Sequence, residues 1–246
     1  MNFLTAIFLG ALQGLTEFLP VSSSAHLVFA QSLIPGFNQV GITFDVILHF
    51  GTFFAVIFYF RKKLLHISRK YILYLAIGTI PAVIIGLFFQ DTIELMFQSA
   101  KLASLALIVT GVLNLLTDRA KPKNEKINGK KSLLVGLSQA IAIIPGISRS
   151  GSTIFAGVKS GLSGKSAAEF SFLLSLPAIL GANILEFYSH GIGTIENPGL
   201  YLVGFFSALI AGLAAIRLVI KFLNEKRFQI FAYYCFIVGI VTFLLL

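Results

Sequence analysis

Apolar residues run through this chain in long blocks, at 43–60, 71–89, 102–116, 201–216 and 230–246, with short polar segments between them. A helix needs about 20 residues to cross the roughly 30 Å hydrocarbon core of a bilayer, and several blocks approach or reach that length. The pattern predicts an all-α polytopic membrane protein. Two further stretches, 2–17 and 25–34, read as helices, but Pro20 and the serines behind it break them apart, and Pro35-Gly36 ends the second. A ten-residue helix rises only about 15 Å, half the hydrocarbon core. The pair therefore predicts a re-entrant hairpin that enters and leaves on one side. Segments 131–144 and 153–162 predict a second hairpin of the same kind.

The two breaks are copies of one pattern. Gly14-Leu15-Thr16-Glu17-Phe18-Leu19-Pro20-Val21-Ser22-Ser23-Ser24-Ala25-His26 lies about 125 residues before Gln139-Ala140-Ile141-Ala142-Ile143-Ile144-Pro145-Gly146-Ile147-Ser148-Arg149-Ser150-Gly151. The likeness continues downstream. Asp45 corresponds to Glu169, the run Pro81 to Leu87 to Ser207 through Leu213, and Gly111 roughly to Gly239, at offsets of 124 to 128. The chain thus reads as one integral membrane domain, 1–246, made of two structural repeats, 1–120 and 131–246, joined by a polar cytoplasmic linker at 118–131. Each repeat is a re-entrant hairpin plus three transmembrane helices. Three is odd, so the second repeat is expected upside down relative to the first, an architecture in which broken helices meet near the midplane.

Composition and charge agree. The chain is 57% hydrophobic and 12% charged, where a soluble domain has about a quarter of its residues charged. Its net charge of +9 would suit nucleic acid, but the positions argue against that partner. Loops 61–70, 118–131 and 217–227, with Lys159 and Lys165, hold 17 of the 19 basic residues. The topology places all of these on one face; Lys101 falls on the other and Arg149 within a hairpin. The positive-inside rule makes the basic face cytoplasmic, so both termini are expected outside, with the first hairpin opening outward and the second inward. The first 16 residues lack the basic leading region of a signal peptide, and Glu17 and Pro20 interrupt the apolar run behind them. The single cysteine, Cys235, excludes an intrachain disulfide. No Cys/His cluster suggests a zinc or redox site.

Polar residues inside such a chain are candidate chemistry. Gln13 and Glu17 are four apart and share a helix face. Glu17 sits near the C-terminal end of its half-helix, where the dipole disfavours an anion, so it needs a cation or arginine nearby. Ser22, Ser23 and Ser24 stand where the next half-helix starts, a position that capping alone would also explain. His26 lies one turn further on. The second break offers Ser148, Arg149, Ser150, Ser152 and Thr153, an arginine among hydroxyls at a helix N-terminus, which suits an oxyanion. Arg149 also serves to neutralise Glu17. Together these groups are equipped for phosphoryl chemistry. Ser23 or a water attacks phosphorus, His26 moves the proton, Arg149 stabilises charge, and Glu17 with Gln13 holds a divalent cation or acts as base. Asp45 and Glu169 read as helix-start or packing residues, His49 and His66 as structural or interfacial, His190 as a solvated outer-loop residue, and Arg217 as the cytoplasmic end of a span.

The segment Gln13 to His26 resembles the (E/Q)xxxE region of the bacitracin-resistance type undecaprenyl-diphosphate phosphatases, and Pro145-Gly146-Ile147-Ser148-Arg149-Ser150-Gly151-Ser152-Thr153 resembles their PGxSRSxxT motif. Glu169-Phe170-Ser171-Phe172-Leu173-Leu174 is similar to family sequence as well. The resemblance implies hydrolysis of undecaprenyl diphosphate to undecaprenyl phosphate in the bacterial plasma membrane. That reaction recycles the lipid carrier for peptidoglycan synthesis and gives bacitracin resistance. It implies dependence on a divalent cation, Mg²⁺ or Ca²⁺. Its functional positions carry over as Gln13, Glu17, Ser23, His26 and Arg149, with Ser148 and Thr153. Together with the reading of the residues, the expected catalytic set is Glu17, Ser23, His26 and Arg149, the substrate-binding set Ser22, Ser148, Arg149, Ser150 and Thr153, and the metal set Gln13 and Glu17. The expected partners are the polyprenyl diphosphate, membrane lipids and a second copy in a homodimer. Where many members have Glu, this chain has Gln13, which shifts the metal or base role toward Glu17. The alternative reading is a transporter or flippase of an anionic polyprenyl phosphate lipid, which shares facing half-helices but has no need of a hydroxyl beside a carboxylate and a histidine.

Overall fold

The computed structural model describes residues 1–33, 41–190 and 197–246. Among the described residues the chain forms eleven α-helices and no strand. They are α1 (Phe3–Phe18), α2 (Ser23–Leu33), α3 (Gly41–Leu65), α4 (Arg69–Phe88), α5 (Gln90–Phe97), α6 (Ala100–Arg119), α7 (Gly129–Ile141), α8 (Arg149–Lys159), α9 (Gly164–His190), α10 (Pro198–Asn224) and α11 (Gln229–Leu245). The expected stop at Pro35-Gly36 and most of the loop expected near 189–199 lie outside the described residues, as does the side chain of His190.

Five of these helices are long and apolar enough to cross a membrane: Phe44–Leu65, Arg69–Phe88, Ala100–Arg119, Gly164–Leu185 and Pro198–Asn224. The last expected span, α11, has 17 residues, about 25 Å of rise. Large apolar side chains stand outward along the spans, among them Ile84, Ile210 and Leu244 at 48, 66 and 75% exposure. Such a surface is stable in lipid and not in water. The spans outrun the apolar blocks of the sequence. Helix α3 continues through Lys62 and Lys63 and α10 through Lys221, because cations favour the C-terminal dipole and their stems snorkel to the interface. The segment expected as a plain loop near 90–101 contains α5, which has Asp91 in its first turn and no buried residue.

Helix starts follow capping chemistry. Side chains of Asn2, Ser68, Ser99, Asn128, Ser148 and Asn197 each accept a hydrogen bond from a backbone N–H of the first turn. Ser148 as cap starts α8 four residues earlier than the expected 153, and this puts Arg149 at the first helical position.

Glycines set the helix packing. Helix α1 lies on α10, and α7 lies on α4. A Cβ on Gly10 would press into the carbonyl of Gly204, and one on Gly136 into that of Gly78. Gly136 is Gly10 moved by 126 positions, and Gly204 is Gly78 moved by the same amount. Helices α6 and α11 pair likewise. A Cβ on Gly111 would meet Phe236 and the Ala232 carbonyl, and one on Gly239 would meet Ile108 and the Ser104 carbonyl. These residues correspond pairwise at a spacing of 128. At the middle of the fold Phe18 meets Phe172 edge-on at 5.5 Å, and Phe60 lies 6.4 Å from Phe172. Phe18 follows Glu17 directly in the chain.

Candidate active site

Both chain breaks are fixed by α6. After α1, Pro20 lacks the N–H that would continue the helix, and Ser22 turns with φ 66° before α2 begins. After α7, Gly146 turns with φ 98°, backed so closely by the Ala103 carbonyl that a Cβ has no room. Asn114 Nδ2 donates to Pro20 O at 2.6 Å. Thr110 Oγ1 donates to Gly146 O at 2.8 Å and accepts from Ser148 N at 2.9 Å. Thr110 and Asn114 are one turn apart on one helix face, so a single stripe of α6 holds both breaks. The breaks also hold each other, since Ser150 Oγ donates to Leu19 O at 3.1 Å.

Glu17 is the centre of what they enclose. Its carboxylate is 8% exposed and accepts from Arg149 Nη2 at 2.5 Å on Oε1. On Oε2 it accepts from Ser23 Oγ at 2.8 Å and from Gln13 Nε2 at 3.1 Å. Arg149 is oriented by a second bond, from Nη1 to Ser171 O at 3.3 Å. The guanidinium carries five N–H donors, so its planar fork can hold Glu17 and still reach an anion. Thus Gln13, Glu17, Ser23 and Arg149, from three helices and two breaks, share one hydrogen-bonded cluster.

The other expected site residues stand apart from it. His26 Nδ1 donates to Ser22 O at 2.8 Å, and its Nε2 bonds Tyr234 Oη at 2.8 Å, with the two rings stacked at 5.6 Å. Both imidazole nitrogens are therefore engaged outside the carboxylate cluster. In the neutral ring Nδ1 carries the proton, because a carbonyl only accepts, and Nε2 takes the Tyr234 O–H. Ser22 Oγ bonds Ser24 Oγ at 3.2 Å. Ser148 Oγ caps α8 through Gly151 N at 3.1 Å and bonds Ser150 Oγ at the same distance. Thr153 Oγ1 donates to Arg149 O at 2.7 Å and bonds Ser171 Oγ at 2.6 Å. These hydroxyls shape the second break around Arg149.

His49, read from sequence as structural or interfacial, belongs to the site. Its Nδ1 lies 3.1 Å from Gln13 Nε2 and 3.9 Å from Glu17 Oε2, with the side chain one-third exposed. The signal was present, as a lone imidazole inside an apolar span is a functional candidate by position alone. Thr110, Asn114 and Tyr234 were also missed; the polar pair at 110 and 114 in an apolar block was the visible sign. Glu169 pairs with Lys63, and Lys63 lies 4.7 Å over the Tyr71 ring, which fits its reading as a packing residue.

The residues present fit a divalent cation. Among the described residues no three His, Cys, Asp or Glu side chains gather. A hard cation, however, is commonly held by one or two carboxylates together with substrate oxygens. Glu17 supplies the carboxylate. Gln13 Oε1 is a fully buried oxygen with no hydrogen-bond partner among the described residues, and a neighbouring cation would satisfy it.

Fold and site define a class: a multi-pass helical membrane protein with a buried acid–arginine–hydroxyl centre between two broken helices. Residues 6–241 match the family model described as bacitracin resistance protein BacA. The chain belongs to this family. It is 43% identical to an undecaprenyl-diphosphatase of Syntrophotalea carbinolica, over 97% of each chain. It is 39% identical to one of Methanobrevibacter smithii, over 99% of this chain and 98% of the relative. It is 41% identical to one of Thermodesulfovibrio yellowstonii, over 98 and 96%.

Proposed function

We propose that this protein is a membrane phosphatase that hydrolyses undecaprenyl diphosphate to undecaprenyl phosphate and inorganic phosphate, recycling the carrier and giving resistance to bacitracin. The observation that carries the reading is the cluster of Glu17, Arg149 and Ser23 in a chain whose relatives bear the name of that diphosphatase. Transport of the intact lipid is not favoured, because those relatives are named for a diphosphatase and the cluster has the groups for displacement at phosphorus.

In this reading the diphosphate replaces Glu17 on part of the Arg149 fork, where charge developing on the equatorial oxygens is stabilised. Glu17 Oε2 takes the proton of Ser23 Oγ, or of a water in its place, as that oxygen attacks the terminal phosphorus. The bond from that phosphorus to the bridging oxygen breaks and undecaprenyl phosphate leaves. Where Ser23 attacks, a water then hydrolyses the phosphoserine to release phosphate. His26 Nε2, the acceptor nitrogen of the neutral ring, takes up a proton through Tyr234 Oη and returns it the same way. The N-terminus of α8, with Ser148, Ser150 and Thr153 around it, directs backbone N–H groups toward the anion, and Ser22 lines the first break. Gln13 and Glu17 hold Mg²⁺ or Ca²⁺, which neutralises phosphate charge when bound. The lipid tail lies along the outward apolar helix faces. Release of phosphate from undecaprenyl diphosphate by the purified protein, with and without chelator, tests the function. Full activity in Glu17→Ala or Arg149→Ala would falsify the site.

The same proposal includes two inverted repeats with re-entrant hairpins α1–α2 and α7–α8, a cytoplasmic 118–131 linker, both termini outside the bacterial plasma membrane, and a homodimer. The exchanged glycine contacts support a two-fold relation between the repeats, and three spans in each repeat would set that axis in the membrane plane. Gly10 on Gly204 and Gly136 on Gly78 are one contact made twice, as a two-fold relation requires.

A further inference from the structure

We infer that His49 is a ligand of the cation at Gln13 and Glu17, and that this nitrogen tunes the site toward Mn²⁺ over Ca²⁺. The inference rests on the cation role proposed for Gln13 and Glu17.

In the orientation seen, the Gln13 amide points its NH₂ group at both Glu17 and His49. Its Nε2 donates to Glu17 Oε2 at 3.1 Å and meets His49 Nδ1 at 3.1 Å. An amide nitrogen only donates, so His49 Nδ1 is an acceptor and the neutral ring carries its proton on Nε2. With the ring neutral, His49 Nδ1 stands 3.9 Å from Glu17 Oε2. The two are lone-pair donors turned toward one point, with a single NH₂ group between them. Ligands on a common ion at about 2.1 Å each stand up to roughly 4.2 Å apart, so this pair is already within reach of one cation. The buried Gln13 Oε1 meanwhile has no partner among the described residues. A half-turn of the amide exchanges its oxygen and nitrogen, which adds a third lone pair to the same set and ends the orphaned state of Oε1. The NH₂ group thus occupies the place between the two lone pairs that a cation would take. The backbone holds the histidine in register, since Thr52 Oγ1 donates to His49 O at 2.8 Å.

A mixed nitrogen and oxygen set has consequences for the metal. Calcium takes oxygen ligands almost exclusively; Mn²⁺ also favours oxygen, but as a first-row transition ion it accepts an added imidazole nitrogen that Ca²⁺ does not. His49 thus raises affinity for Mn²⁺ more than for Ca²⁺.

The test uses the full chain in detergent, titrated with MnCl₂ and CaCl₂ and followed by pulsed electron paramagnetic resonance. The wild type is expected to show a directly bonded histidine ¹⁴N on Mn²⁺. That signal is expected to survive His26→Gln and to vanish in His49→Gln. Loss of outer partners alone weakens metal sites by about tenfold or more, so His49→Gln should weaken Mn²⁺ at least about tenfold while Ca²⁺ shifts much less. A wild-type spectrum without ¹⁴N, or a ¹⁴N signal retained in His49→Gln, overturns the inference even if His49→Gln folds poorly. Mn²⁺ binding unchanged in Glu17→Gln overturns the Gln13–Glu17 cation role instead, and the inference with it.

Discussion

A guanidinium buried against a carboxylate in a membrane interior is costly to leave unpaired, and this sets the outcome for Arg149→Ala. Removing one partner of a buried pair destabilises by about 3–5 kcal/mol. Removing a donor that stabilises developing charge costs roughly 10²- to 10³-fold in rate. The double variant Arg149→Ala/Glu17→Gln should regain much of the lost thermal stability without regaining phosphate release, because it removes the orphaned charge but not the need for the arginine. Melting in detergent beside a phosphate assay separates the two effects. Tyr234→Phe is milder. It keeps the ring stacked on His26 and removes only the O–H donor, so a bond worth about 1 kcal/mol, or roughly fivefold in rate, is at stake. Glu17 and Arg149 were legible in the sequence because a charge inside an apolar segment has few innocent explanations. His49 was visible only as a lone imidazole in an apolar span; its place beside Glu17 was not, because nothing along the chain tells which face of α3 meets α1.

At the scale of elements, the two breaks and the stripe of α6 that holds them act as one unit. Asn114→Ala leaves the buried Pro20 carbonyl without its amide donor and should cost about 1–3 kcal/mol, with activity falling in step as the first break loosens. Gly146→Ala should be worse. Its φ of 98° lies in the left-handed region and its missing Cβ is occupied by the Ala103 backbone, so the variant is expected to express poorly and melt early. The helices themselves were readable from apolar blocks and their Pro and Ser breaks. Their ends were not, because lysines such as Lys62, Lys63 and Lys221 extend spans beyond the apolar run. Helix α5 was hidden because its eight residues are too few for a period to show.

For the whole molecule, the distribution of lysine and arginine makes a topological prediction. Single cysteines placed at 125 and at 92, in a Cys235→Ser background, should label from opposite sides of right-side-out vesicles, with 92 accessible from outside. Equal labelling from one side would remove the inverted arrangement. The segment between α6 and α7 is drawn onto the turn between α8 and α9 by backbone bonds from Lys123 and Glu125 to the Gly161 carbonyl, and Lys131 Nζ donates to Glu125 at 2.7 Å. Duplication was visible in sequence as paired motifs, but the exchange of partners was not, since a repeat does not say whether it packs on itself or on its copy.

That exchange has a consequence for biosynthesis. The glycine face of α1 is matched by α10, roughly 200 residues later in the chain. At about 5–20 residues per second of synthesis, the first helix waits on the order of ten to forty seconds for its mate. Until then Gly10 and Gly14 face lipid, or whatever chaperone shields them. The amino-terminal half is thus made first and completed last, and its closure is a late event that only the finished chain can perform.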